Sequence, residues 1–210
     1  MAPSEYHRVF LLSPANASGE RMQMLLRPAA QFDLAQRLRA GQATLGEAFE
    51  FTSGLYFRGK LLYARTFARA PGGVPGALVI APGAGLVPAE APVDAAQLLR
   101  LGKVPVDAAD RRFRVPLEDT ARLVLRALPP HSEIVLLGSI ASAKYVDPLL
   151  GVFGERLLFP PSFVGRGDMS RGGLLLRSAR SGDELAYAPV QGAVRHGPRP
   201  PRLPRLPRRS

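Results

Sequence analysis

The sequence predicts an α/β protein, a three-layer sandwich with a mostly parallel sheet of four to five strands, followed by a disordered basic Pro/Arg-rich C-terminal tail. Three observations carry that expectation. Four short, continuous apolar runs, "RVFLLS" (8–13), "ALVIAP" (77–82), "EIVLLG" (133–138) and "RLLFP" (156–160), have the pattern of strands covered on both faces. Stretches with helical spacing separate them, and a strand–helix–strand crossover makes neighbouring strands parallel. Residues 195–210 hold six arginines and five prolines with no acid, a composition that cannot build a core and favours polyproline-II chain.

Taken in order, "QFDLAQRLRA" (31–40) is helical and stops at Gly41. Thr44 and Glu47 form a capping box for "LGEAFEF". "LYFRGKLLYARTFA" (55–68) is helical despite Gly59, and "APGGVPG" (70–76) is a loop. Residues 89–116 mix a short helix near Ala95–Leu101 with irregular chain. "LEDTARLVLRAL" (117–128) is a helix opened by Pro116, with Leu117, Ala121, Val124, Leu125 and Leu128 on one face. "DELAYAPV" (183–190) adds a fifth strand at an edge. A single domain therefore covers 1–192 and the tail covers 193–210.

Composition excludes several function classes. No run reaches the roughly 18–20 apolar residues that span a bilayer, so no membrane helix is expected. "VFLL" is shorter than a signal-peptide core of about 7–15 residues, which points to the cytoplasm. With no cysteine there is no disulfide, thiol nucleophile or Cys-ligated metal. His7 and His131 precede strands and His196 is in the tail, which disfavours a Ser–His–Asp triad or a His-ligated zinc. No metal site and no cofactor are assigned. An enzyme of this sequence would work with Asp, Ser, Tyr, Lys and Arg. The net charge of +11, more than half of it in the tail, suits an anionic small molecule or nucleic acid as partner.

In open parallel sheets, ligands bind beyond the carboxyl ends of the strands. Four loops follow the four runs there: 13–20, 82–88, 138–145 and 161–173. In the first, Asn16 with Ser13 and Ser18 either hydrogen-bonds a base or sugar, or caps the next helix. In the third, the Gly138 backbone, the Ser139 and Ser142 hydroxyls, the Lys144 cation and the Tyr145 ring precede Asp147–Pro148, which reads as a helix start suited to phosphate. The fourth is "GRGDMSRGG" (165–173). Here Arg166 and Arg171 supply forks for phosphate, and Gly167 and Gly172 let the backbone approach an anion beside Ser170. Asp168 acts as a general base, holds a metal or orders the arginines; the alternative is an Asp–Arg latch with no ligand. The embedded "RGD" lacks any sign of secretion. A Walker pattern is absent, as is G-x-G-x-x-G after the first strand.

A second surface is the face shared by Arg58, Arg65 and Arg69 at i, i+7 and i+11, with Lys60 pointing elsewhere. It tracks a phosphate backbone or is simply solvated. The functional expectation is an anionic, nucleotide-like ligand at the carboxyl-end rim, with hydrolysis of a glycosidic or phosphoester bond as the chemistry to test. The alternative is a non-catalytic nucleic-acid-binding accessory protein using the arginine face and the tail.

The segments "FLLSPANASG", "FTSGLYFRGKLLYARTFA", "LVIAPGAGLVP", "VLLGSIASAKYVDPLLGVFGERL" and "FVGRGDMSRGGLLL" together resemble a family of bacterial proteins of unassigned activity, over about residues 8–190. The "GLVP" turn and the "LLGS…Y" segment are also similar to small α/β proteins of the phage, DNA-modification and peroxide-stress DNA-binding kinds. That similarity implies nucleotide or nucleic-acid chemistry.

Overall fold

The computed structural model describes residues 6–141, 143–201 and 203. The chain folds into a mixed α/β domain on a mostly parallel sheet of six strands. β1 (Arg8–Leu12) lies inside the sheet, with β3 and β6 on its two sides, and every one of its residues is buried. After it come α1 (Glu20–Leu26), α2 (Asp33–Arg39), β2 (Ala43–Thr44), α3 (Leu45–Ser53) and α4 (Leu55–Phe67). Next are β3 (Ala77–Ala81), β4 (Gly85–Pro88), β5 (Pro92–Val93), α5 (Ala95–Gly102), α6 (Arg111–Ala127) and β6 (Glu133–Leu137). The chain continues through α7 (Ala143–Phe153), β7 (Leu157–Phe159), α8 (Asp168–Ser181) and β8 (Ala188–Pro189).

The sheet order is β4-β3-β1-β6-β7-β8; β1 pairs in parallel with β3 and β6, and β6 in parallel with β7. The antiparallel β4 and β8 close the two edges. β2 and β5 form a separate two-residue ribbon. Alternation along the strands divides the core: Phe10, Leu12, Val79 and Val135 join one apolar cluster with α3, α4 and α8, and Val9, Leu11, Ile80 and Leu136 join another with α6 and α7.

The four apolar runs are strands, the Thr44–Glu47 capping box is present, and the helices expected near 31–40, 55–68 and 95–101 form within a residue or two of those bounds. Elsewhere the boundaries move. "GLVP", expected as part of a loop, is β4: Gly83 and Gly85 take positive φ, and the chain reverses at once onto β3. The sheet thereby gains an unforeseen strand. Pro116 does not open a helix. Asp110 caps α6 through the Arg112 N–H at 2.8 Å, and Pro116 lies inside the helix. Pro148 likewise lies inside α7, which begins at Ala143. Of the segment 183–190, only Ala188–Pro189 pairs as a strand. Residues 193–201 and 203, expected in the disordered tail, carry no helix or strand. Arg195 nevertheless pairs with Asp147 at 3.1 Å, and Gly165 and Gly197 admit the backbone of this segment against 163–165. Among the described residues, no helix is long and apolar enough to cross a membrane.

The amino end of β1 holds a well-satisfied buried cation. Arg8 donates to Glu133 at 2.8 Å, to Tyr6 at 2.7 Å and to Glu184, and its guanidinium lies 4.6 Å from the Tyr187 ring centroid. The Tyr187 hydroxyl donates to Glu184 at 2.9 Å and shares a 2.6 Å hydrogen bond with Tyr63. Burial pushes the Tyr187 phenol far up, so it stays a donor. This network fastens segment 184–187 to the sheet. Arg8→Met leaves Glu133 and Glu184 half-buried without their cation. Unfolding free energy should fall by about 3–5 kcal/mol, read from urea denaturation at pH 7.

Candidate functional site

The carboxyl ends of β1 and β6 meet two helices that cross with almost no separation. A Cβ on Gly59 of α4 would lie 2.7 Å from the Gly172 carbonyl oxygen, and one on Gly172 of α8 would lie 2.8 Å from Tyr56 Cα. Only glycine fits at either position. The close crossing brings Tyr56 and Lys60, one turn apart on α4, against Asp168 and Arg171, one turn apart on α8. Between strand ends, Gly138 performs the same service: a Cβ there would lie 2.9 Å from both Ser13 Cβ and the Tyr145 hydroxyl.

Lys60 is 1% exposed, and its ammonium donates to the Ser13 carbonyl at 2.5 Å and to Ser13 Oγ at 3.0 Å. It sits 4.5 Å and 4.7 Å from the Tyr56 and Phe57 ring centroids, and no carboxylate pairs with it among the described residues. Burial pulls its pKa down to about 7, Asp168 raising it and Arg171 lowering it further. Arg171 is also buried, and its bonds to Phe163 O, Asp168 Oδ1 and Ser139 Oγ are all 3.3 Å, at the long end for N–H···O. Asp168, the nearest counter-charge, has a side chain 69% exposed. The buried Tyr56 hydroxyl has no hydrogen-bond partner of good geometry among the described residues, and burial raises its pKa. Tyr145 donates to Ser139 O at 3.0 Å, and burial raises its pKa as well.

A pocket of about 140 Å³ opens onto this cluster, lined by Ser139, Phe163 and Arg171 and walled by Arg195, His196 and Gly197. The structure thus brings Ser13, Gly138, Ser139, Tyr145, Asp168, Arg171 and Gly172 together and disperses the other expected residues. Arg166 turns onto its own loop, donating to Ser162 O at 2.9 Å and to Ser170 Oγ at 3.1 Å. It and Ser170 border a separate hollow with Arg199 and Pro201. Lys144 is exposed in the first turn of α7. Asn16 accepts from Ser18 N and Oγ, both at 3.1 Å, which orders the loop before α1. Ser142 lies outside the described residues.

Two expectations about backbone are corrected. "DMSRGG" is not a loop but the first turns of α8: Gly167 is its N-cap, and Asp168 supplies first-turn negative charge to the helix end. Gly172 serves helix packing, not approach to an anion. Residues 143–146 are already helical, so the helix start expected at Asp147–Pro148 does not exist. On the other surface, the arginine stripe is interrupted. Arg58 pairs with Glu50 at 2.8 Å, Arg65 pairs with Glu90 at 2.7 Å, and Arg69 falls beyond the end of α4.

Tyr56 and Lys60 were missed from sequence. The available signal was a lysine among Phe57, Leu61 and Ala64 on the apolar face, one residue after a helical glycine. Among the described residues, no group of three or more His, Asp and Glu is placed to hold a metal ion. No family model, curated protein or solved structure matches the chain.

Gly172→Ala tests the crossing. Helix propensity alone would stabilise by about 0.5–1 kcal/mol. The clash with Tyr56 should reverse the sign and destabilise by about 1–3 kcal/mol, measured as a lowered urea midpoint.

Proposed function

We propose that the protein binds a phosphate-bearing, nucleotide-like anion at the carboxyl ends of β1 and β6, with the sheet as the middle of three layers. One observation carries the reading: two buried cations, Lys60 and Arg171, converge where Asp168, the carboxylate acting on both among the described residues, is mostly solvated. An uncompensated buried charge is costly, and perturbed groups of this kind gather at functional sites. An anion contacting Arg171 and Ser139 would give the guanidinium a charge-assisted partner beside its long bonds and supply the missing counter-charge.

The pocket of about 140 Å³ suits one compact anionic group. The remainder of a nucleotide would lie where Arg195–Gly197 now forms the outer wall, so that segment moves aside on binding. Should hydrolysis of a phosphoester or glycosidic bond follow, Asp168, exposed on the first turn of α8, would serve as general base. Lys60, buried behind Ser13 with a pKa of about 7, would add its charge to the field at the site.

Calorimetric titration with nucleoside mono- and diphosphates tests the assignment. Arg171→Ala should weaken binding at least about tenfold, as expected for loss of a charge-assisted contact. Arg166→Ala, whose guanidinium bonds its own loop, should change it less than about twofold. Equal losses in the two variants would sink the assignment to Arg171.

The sign of the pH dependence follows from Lys60. An anion favours its charged form, which is fully present below about pH 7 and lost as pH rises through that value. Sulfate, whose charge is constant over this range, should bind about tenfold more weakly at pH 8 than at pH 6. Lys60→Met should flatten that profile. His196→Gln, the control for the imidazole at the pocket wall, should leave it in place.

A further inference from the structure

A second cavity, of about 600 Å³, opens at the carboxyl end of β3, two strands away from β6. The tight Pro82–Ala84 turn forms one side, β5 and the start of α3 another, and α5 with the residues just after it the third. Its wall is apolar, built chiefly from Leu45, Val87, Val93, Leu101 and Val104. None of Ser13, Lys60, Ser139 or Arg171 lines it. The first loop stands in between: Gly102, at the end of α5, lies so close to the Ala17 carbonyl that a Cβ would be 2.8 Å from it. This is a site separate from the polar cluster, within the range of about 300–1,000 Å³ typical of small-molecule pockets.

The charged residues at its lining have one sign. Arg100, Lys103 and Arg112 are present, and no Asp or Glu. Arg112 is committed to Asp110 at 2.6 Å. Arg100 and Lys103 have no ion-pair partner among the described residues. The walls are held by fixed elements. Asp94 and Gln97 close a capping box on α5, and the Gly83 turn rests against Val104.

From this combination we infer that the cavity binds a small amphipathic anion: an apolar ring inside, with a carboxylate, sulfonate or similar group at the mouth against Arg100 and Lys103. Apolar walls provide the driving force, and the two unpaired cations select the charge.

The probe is 1-anilinonaphthalene-8-sulfonate, followed by fluorescence with the intact chain, beside N-phenyl-1-naphthylamine, which has the same rings without the charge. Saturable binding of the sulfonate at one site per chain is expected, tighter than the neutral analogue. The double variant Arg100→Ala/Lys103→Ala should weaken the sulfonate at least tenfold and leave the neutral analogue within twofold. Ala91→Phe, which places a ring in the cavity, should abolish both, with thermal unfolding as the check that the fold survives. Arg171→Ala should change neither. Absence of saturable sulfonate binding, or sulfonate affinity unchanged in the double variant, overturns the inference. So does equal affinity for the two probes in the wild type. The double variant alters only exposed side chains, so its result stands even if Ala91→Phe fails to fold. Loss of sulfonate binding in Arg171→Ala would assign the probe to the polar cluster and overturn the second site.

Discussion

Everything at the polar edge of this protein depends on two glycines. Gly59 and Gly172 let α4 and α8 cross backbone to backbone, and no other residue type fits at either position. The crossing has a direct electrostatic result. With ordinary side chains at the contact, interaxial distances of about 8–10 Å would hold the helices apart and leave room for water around Lys60. With glycines, Lys60 is fully buried at the end of β1, its ammonium held, among the described residues, by Ser13 and two aromatic rings. Desolvation then lowers its pKa. A packing decision on one pair of helices thus sets the protonation of a group at the sheet edge.

The two ends of β1 show how differently a buried cation can be treated. Arg8 has two carboxylates, a phenol and an aromatic face, and its role is to tie the segment before β8 onto the sheet. At the other end Arg171 has one exposed carboxylate and neutral acceptors, and Lys60 has the neutral acceptors of Ser13. Structural ion pairs are saturated because an unpaired buried charge costs stability. One end of the sheet thus leaves two buried cations short of counter-charge while its opposite end satisfies one fully, and this asymmetry supports the proposed anion site at the carboxyl ends of the strands.

The parallel strands were legible because burial on both faces writes itself as an unbroken apolar run, as in "VFLL" and "IVLL". The Thr44–Glu47 box was legible because a capping box is a local device, complete within four residues. What failed to show was structure decided by a distant partner. "GRGDMSRGG" reads as loop on propensity, since two adjacent glycines are poor helix formers, and only the facing helix makes them suitable. Pro116 and Pro148 read as helix starts, yet earlier turns outrank that preference. On the sequence Lys60 is only set apart from the arginine face, with no role, because the helix that packs over it, α8, lies more than a hundred residues on.

The same logic separates Arg166 from Arg171, which sequence alone treats as equivalents. They are five positions apart, one before the first turn of α8 and one within it. The N-terminus of the helix turns Arg171 inward toward Ser139. Arg166, left on the approach, folds back onto Ser162 and Ser170 and meets Pro201 of the C-terminal segment. One arginine therefore belongs to the floor of the pocket and the other to the anchorage of the chain that walls it. That division separates the apparently redundant charges of "GRGDMSRGG": Arg171 faces the pocket, Arg166 bonds its own loop and the C-terminal segment, and Asp168 pairs with Arg171 while staying mostly exposed.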